Sequence, residues 1–409
     1  MRVGIEAINL YAGVTCMDVL TIFKQRDLQI DRFDNLMMNK KSVGLPNEDA
    51  VTCGVNAAIK LIRNMSDAEK DRIEMVITST ESGVDFGKSI STYIHDYLNL
   101  NNACRVFEVK QACYGGTAAL QQAVNYVASG VSPGGKVLVI ATDIARHANL
   151  NYAEPTQSIG AVAMLVSDNP QILEIDFGAI GQHSYEVMDT CRPETELETG
   201  NPDLSLLSYL DCLENCYKRY EEKVENSDFR HTFDYLAFHT PFCGMVKGAH
   251  RKVMRSLYRT KPNEIDIDFM ERVKPSLTYC QDVGNVYSAT LYFALCGIID
   301  NADFDDEKRV GMFSYGSGCS SEFFSGVILP FAKEKLAEMK IKERLEQRYP
   351  LSTEEYELLL KLNSEWTFGI KDRFVDLTPF KKIYEKTMAG KGLLALVGIE
   401  DYHRKYQWT

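Results

Sequence analysis

No uninterrupted apolar run in the 409-residue chain reaches the roughly 18 residues of a membrane span, so no transmembrane helix is expected. The opening MRVGIEAINLYAG has no basic region ahead of a long apolar stretch, so no secretory leader is expected either. The 11 cysteines are scattered, with no CxxC pair and no Cys/His ligand spacing. In a chain without a leader they read as reduced thiols of a cytoplasmic protein rather than a disulfide frame or a zinc site. Positive charge is in deficit: the formal net charge is −12, which argues against general binding to nucleic acid or an anionic membrane. Low-complexity stretches and an obvious linker are also missing. What remains is an ordinary globular composition, 45% hydrophobic and 25% charged, in a length that suits two domains or one large double-core unit.

Short apolar runs alternate with helical segments, the mark of an α/β architecture. Strands are expected over Met75–Thr78, Val106–Val109, Val137–Ala141 and Ala161–Val166. A helix is expected over Thr117–Ser129, where Ala118, Leu120, Ala123, Val124 and Val127 recur on a helical period and Gly130 caps the end. A second set follows, with strands at Asp234–Phe238, Val310–Ser314 and Phe324–Leu329. Between them VGNVYSATLYFALCGIID, residues 283–300, repeats the layout of a glycine-containing turn and a long apolar helix. A duplicated α/β unit accounts for this, although any two α/β units share such a pattern. Residues 168–232 are more polar and read as an insertion or cap. The tail from about Ala332 reads as helical, with a capping box at Ser352–Glu355.

Three residues stand where strands end. Cys113, in RVFEVKQACYGGTAAL, precedes the expected helix. A helix N-terminus favours the reactive thiolate, and Gly115 and Gly116 would let a substrate approach the backbone. A free cysteine is also commonly a small buried hydrophobe. His239, in LAFHTPF, ends an apolar run just before Thr240-Pro241, where α/β folds open clefts; a hydrogen-bonded structural histidine is the plainer alternative. Glu81, in MVITSTESGVDFGKS, also follows a strand, where a carboxylate is often a solvated loop residue or cap. Softer candidates are the SYGSG turn, 314–318, whose N–H groups suit an oxyanion, and Asn285, as a hydrogen-bond donor or a helix cap.

In this order, STESGVDFGKS, FEVKQACYGGTAAL, FHTPF, VGN and FSYGSG resemble the hydroxymethylglutaryl-CoA synthase family of the thiolase-like superfamily, over about residues 2–405. The resemblance implies a thiolase-like duplicated α/β core, five layers αβαβα. Its halves would be 1–167 and 168–409, the latter with the insertion near 168–232 and the helical tail near 332–409. It implies Cys113 as the acylated nucleophile, Glu81 as the general acid/base and His239 as the partner of the acceptor. Asn285 and Ser317 would lie near the acyl group, with Asp143, in VIATDIAR, close by. It implies no metal and no cofactor beyond the phosphopantetheine of the acyl substrates, and a homodimer.

Two branches of that family differ in their carrier. YEVMDTCRP, LSLLSYLDC, HTPFCGMVKGAHR and IEDYHRKYQW are similar to the polyketide β-branching branch, the hydroxymethylglutaryl-ACP synthases, which use donor and acceptor acyl carrier proteins. Mevalonate-pathway members carry CoA-facing lysines where this chain has Gly244 and Gly248. Residues 247–261 hold Lys247, Arg251, Lys252, Arg255, Arg259 and Lys261 with no acidic residue, a basic patch suited to an acidic carrier or to a merely solvated helix face. Against this, the short link HANLNYAEPTQSIGAV has an EPTQ resembling bacterial mevalonate enzymes, which leaves acetyl and propionyl donors both open. A catalytically dead partner subunit is disfavoured, because cysteine, glutamate and histidine are all present. A decarboxylating ketosynthase would not need Glu81.

Overall fold

The described residues of the computed structural model, 2–145, 153–194 and 197–409, build one mixed nine-stranded sheet with helices on both faces. Its first five strands are β1 (Gly4–Tyr11), β2 (Ile73–Ser79), β3 (Arg105–Val109), β4 (Lys136–Ile144) and β5 (Ile159–Ser167). They are followed by β6 (Leu173–Ser184), a separate hairpin of β7 (Thr190–Glu194) and β8 (Leu197–Gly200), then β9 (Tyr235–Phe238), β10 (Lys308–Gly316) and β11 (Ser320–Ile328). Across the sheet the order is β9-β10-β11-β6-β1-β5-β4-β2-β3.

The order exposes the duplication. From its edge inward the first half runs β3-β2-β4-β5-β1, with β2, β3 and β4 parallel and β5 antiparallel to its neighbours. The second runs β9-β10-β11-β6 with the same directions, and among the described residues it lacks only a counterpart of β3. The halves join through a short antiparallel pairing, Gly4 with Glu174 and Ile5 with Leu173.

Alternating strand residues bury both faces. Val76, Leu138, Ile140, Ala161 and Leu165 share a core with α1 (Ala50–Ile62), which opens on a capping box of Asp49 and Thr52. Met75, Ile77, Val137, Val139 and Met164 face the other way, toward α2 (Gly115–Ala128) and the second half. The third helix, α3 (Pro202–Lys223), covers β6 and β11, with Tyr217 edge-on to Phe323 at 5.3 Å. Two further helices are α4 (Cys243–Ser256) and α5 (Thr290–Asn301); α5 meets α2 where Tyr292 and Thr117 hydroxyls lie 3.0 Å apart. The layers are therefore α1, the first half of the sheet, α2 with α5, the second half of the sheet and α3, the thiolase-like five-layer core.

Two expectations need correction. The supposed insertion contains β6, in the middle of the sheet, and α3, which is core. Its polarity misleads because the buried face of α3 is mostly tyrosine and cysteine, Tyr209, Cys212, Cys216, Tyr217 and Tyr220, with Leu213 its one large aliphatic residue. The tail is not all helix. The charged run after Ala332 breaks at Lys340, left-handed at φ 51°, into Ala332–Ala337 and Ile341–Glu346. The capping box at Ser352 and Glu355 does open α6 (Thr353–Asn363). The chain then ends in a hairpin of β12 (Leu394–Glu400) and β13 (His403–Trp408). No helix among the described residues is long and apolar enough to cross a membrane.

Candidate active site

The strand-end candidates gather at the carboxyl ends of the parallel strands, where open α/β sheets form clefts. Glu81 lies just beyond β2, Asp143 near the end of β4, His239 after β9 and Ser317 after β10. Cys113 stands between β3 and the first residue of α2, Gly115. The chain turns there through Ala112, left-handed at φ 44°, a conformation that costs an alanine about 1–3 kcal/mol and so must be imposed by its surroundings. The Cys113 thiol donates to Glu81 Oε1 at 3.4 Å.

The electrostatics reverse one expectation. Burial pushes the Cys113 thiol well up, and the carboxylates of Glu81 and Asp143 push it further, so the resting group is a neutral thiol rather than a thiolate. Burial also raises Glu81, opposed chiefly by the charge of Arg192. Asp143 is fully buried; burial and the nearby Glu81 lift it to about 8. Its Oδ1 accepts from the Glu81 amide at 2.7 Å, the Ser82 hydroxyl at 3.0 Å and the Thr80 hydroxyl at 3.1 Å, so it fixes the turn that carries Glu81. His239 is 2% exposed, and burial holds its imidazole down to about 3, a neutral ring. Its amide donates to the Phe313 carbonyl at 2.8 Å and its carbonyl accepts from Tyr209 at 2.7 Å, while Nδ1 has no hydrogen-bond partner.

Gly115 and Gly116 admit protein, not substrate. A Cβ on Gly115 would lie 2.3 Å from Ser79 Oγ, and one on Gly116 2.7 Å from the Ser288 carbonyl oxygen. Gly316 does the same for the SYGSG turn, where a Cβ would meet the Tyr114 nitrogen at 2.5 Å. That turn therefore lies directly against the Cys113 turn, and the Ser317 carbonyl accepts from Gln111 Nε2 at 3.4 Å. Asn285 Oδ1 accepts from the Tyr287 amide at 2.9 Å and the Thr290 hydroxyl at 3.2 Å, a capping role.

Four of the basic residues, Lys247, Arg251, Lys252 and Arg255, lie on α4, which starts four residues after His239, while Arg259 and Lys261 follow its end. Lys247, Arg251 and Arg255 are exposed one helical turn apart on one face and form no salt bridge among the described residues; Lys252 sits 3.8 Å from Glu214. A Cβ at Gly244 would be 1.7 Å from the Asn35 carbonyl, so the Phe33–Leu36 segment excludes a lysine there, whereas Gly248 has open space. The link following Asp143 lies partly outside the described residues, at 146–152.

Several site residues were not anticipated. Arg192, on β7, donates to the Glu81 carbonyl at 3.2 Å and pairs with Glu198 on β8 at 3.0 Å, its guanidinium 4.8 Å from the Tyr287 ring. Asp189 accepts from the Gly318 amide at 2.9 Å and from Tyr315 at 2.6 Å, which clamps the SYGSG turn. These residues come from the polar stretch read as a cap, where no strand-end pattern marks them. No group of His, Cys, Asp and Glu suited to a metal ion occurs among the described residues.

A duplicated thiolase-like core with a thiol, a carboxylate and an imidazole at its strand ends defines a class of acyl-transferring, carbon–carbon bond-forming enzymes. The chain belongs to the hydroxymethylglutaryl-CoA synthase family: the N-terminal family model matches residues 1–171 and the C-terminal model 174–268 and 264–407. It is 51% identical to the polyketide biosynthesis 3-hydroxy-3-methylglutaryl-ACP synthase PksG of Bacillus subtilis, over 99% of both chains. It is 32% identical to the hydroxymethylglutaryl-CoA synthase of Enterococcus faecalis, over 88% of this chain and 91% of that one. Among solved structures, the curacin-pathway HMG synthase in complex with acetyl donor-ACP superposes with a TM-score of 0.98 at 54% identity, covering all of both chains.

Proposed function

We propose that this protein is a hydroxymethylglutaryl-ACP synthase of polyketide assembly, which adds an acetyl-derived carbon to the β-ketone of a carrier-bound chain. The observation that carries the chemistry is the Cys113 thiol aimed at Glu81. Cys113 attacks the acetyl thioester of the donor carrier; its proton leaves with the pantetheine thiolate. Glu81 then removes a proton from the methyl carbon of acetyl-Cys113, and N–H groups of Cys113 and Ser317 hold the enolate oxygen. The carbon adds to the ketone of the acceptor, which the neutral His239 ring orients by hydrogen bonding, and the alkoxide takes the proton that Glu81 removed, which returns Glu81 to its carboxylate. Asn285 Nδ2 faces the same acyl groups. Water cleaves the thioester to Cys113 and frees the carboxylate of the branch.

The carrier preference rests on the closer similarity to PksG than to the E. faecalis enzyme, on Gly244 in place of a lysine, and on the exposed stripe of Lys247, Arg251 and Arg255. We assign the stripe to the acidic face of the donor and acceptor carrier proteins, with Lys252 a weaker contributor because of Glu214. We divide the halves between residues 167 and 168; the change-over of the two family models, between residues 171 and 174, is a few residues further on and supports a boundary in this region. A cytoplasmic homodimer completes the reading: among the described residues β3 is a free sheet edge, with Phe107 38% exposed, features suited to a second copy.

The test is the intact mass of the protein after incubation with acetyl-CoA or with acetyl-carrier. Faster acetylation of Cys113 from the carrier is expected; equal acetylation from CoA would favour the mevalonate reaction. Cys113→Ala should abolish acetylation and product, and product from that variant would refute the enzyme assignment.

A further inference from the structure

Arg192 is the cation that reaches Glu81. Its side chain is 16% exposed, Nη1 donates to the Glu81 carbonyl at 3.2 Å, and Nε lies 3.8 Å from Glu81 Oε2. That last separation is too long for a hydrogen bond, and Nε is buried with no other partner. Nη2 instead takes Glu198 Oε2 at 3.0 Å, and the same oxygen accepts from Tyr287 at 3.0 Å. Glu81 is thus divided: Oε1 faces the Cys113 thiol, and Oε2 faces a guanidinium that is held back by a second carboxylate.

We propose that Arg192 is a positioning residue that keeps Glu81 ionised and turned toward Cys113, while Glu198 limits that attraction so that Glu81 remains basic enough to take a carbon-bound proton. The inference rests on the reading of Glu81 as the base. A closely paired carboxylate would be ionised but a poor base; an unpaired one, enclosed as Glu81 is, would hold its proton to higher pH. The loose contact to Arg192 sits between these extremes. When Glu81 accepts the proton, the guanidinium keeps a partner in Glu198, so the step strands no buried cation. Other charged or titratable groups face Glu81 too. Asp143 holds its amide, Cys113 its Oε1, Lys110 adds a weaker positive contribution, and Tyr287 lies beneath Arg192. Arg192 and Glu198, by contrast, are paired with each other and act on the Glu81 carboxyl in opposite directions.

The experiment measures single-turnover condensation from acetyl-Cys113 against pH, with acetylation of Cys113 followed separately by intact mass. Arg192→Met should move the acidic limb of condensation to higher pH by about one unit, about a tenfold loss below the limb, while acetylation changes far less. Arg192→Lys should recover part of the shift, and it carries the test if the methionine variant does not fold. Glu198→Gln should move the limb the other way and lower the plateau. Limbs that coincide with the wild type, or that shift in one direction in both variants, would overturn the proposal. Glu81→Gln separates this from the underlying reading: unchanged condensation in that variant would refute Glu81 as base, whereas lost condensation with unmoved Arg192 and Glu198 limbs would refute the present inference alone.

Discussion

At the scale of single residues, the site is built from groups displaced from their usual charge. His239 accepts a proton only near pH 3, against 6.5 for a free side chain. The unfolded chain therefore binds a proton between these values that the folded chain refuses, and stability falls as pH drops through that window, by up to about 1.4 kcal/mol per unit. Asp143 acts in the opposite sense. Lifted from 3.8 to about 8, it stays protonated in the fold where the unfolded chain has ionised, so its cost grows as pH rises through that range. Urea unfolding across pH should show a flatter acid limb in His239→Gln and a flatter neutral limb in Asp143→Asn; slopes equal to the wild type would refute these assignments. Glu81, Cys113 and His239 were legible as candidates because each stands where an apolar strand ends, and their chemical roles came only from the family resemblance of their joint order. Arg192, Glu198 and Asp189 were not, because they project from a hairpin whose sequence carries no periodic signal. The glycines beside Cys113 were visible, but their reason was not: Ser79 and Ser288, which crowd them, are remote in sequence.

At the scale of elements, the C-terminal hairpin is the main feature that sequence patterning missed. It turns through Asp401 and Tyr402, both left-handed at φ 47° and 64°, as a two-residue type I′ turn requires. Asp-Tyr is not the Asn-Gly or Asp-Gly that normally announces such a turn, so the strands on either side passed unread. The hairpin is firmly attached. Arg404 on β13 pairs with Asp49 at 2.9 Å, side chains 8% and 1% exposed, and Tyr406 donates to the same carboxylate at 2.8 Å. Asp49 also caps α1, so one carboxylate joins the last strand to a helix of the first half. Removing one partner of a buried pair strands the other charge. Arg404→Met is therefore expected to destabilise by about 3–5 kcal/mol, and Tyr406→Phe, which loses a single hydrogen bond to that charge, by about 1.5–3 kcal/mol. Chemical denaturation measures both; a loss under about 1 kcal/mol for Arg404→Met would mean that the hairpin is held by apolar packing alone.

At the scale of the whole molecule, the duplication was legible from two short stretches, 105–120 and 283–300, because each half places a turn and an apolar helix ahead of its fourth strand position. How the halves join was not legible, because the polar face of β6 and the tyrosine-rich face of α3 hide core elements in a stretch of low hydropathy. The charge distribution is likewise a property of the whole. With a net charge of −12, the average surface repels an acidic carrier, and the stripe on α4 is a local exception. Attraction to such a stripe is screened beyond about 8 Å at 0.15 M salt, so it governs encounter more than the bound state. Acetyl transfer from a carrier protein should therefore slow steeply as salt rises, while transfer from acetyl-pantetheine, which has no charged carrier to steer, should barely change. Reversing Lys247, Arg251 and Arg255 to glutamate should lower carrier kcat/KM by about tenfold or more and leave acetyl-pantetheine turnover intact. Lys252→Glu provides the internal control, because Glu214 already occupies that lysine. An equal loss from Lys252→Glu, or a salt response shared by both donors, would move the carrier contact away from the exposed face of α4.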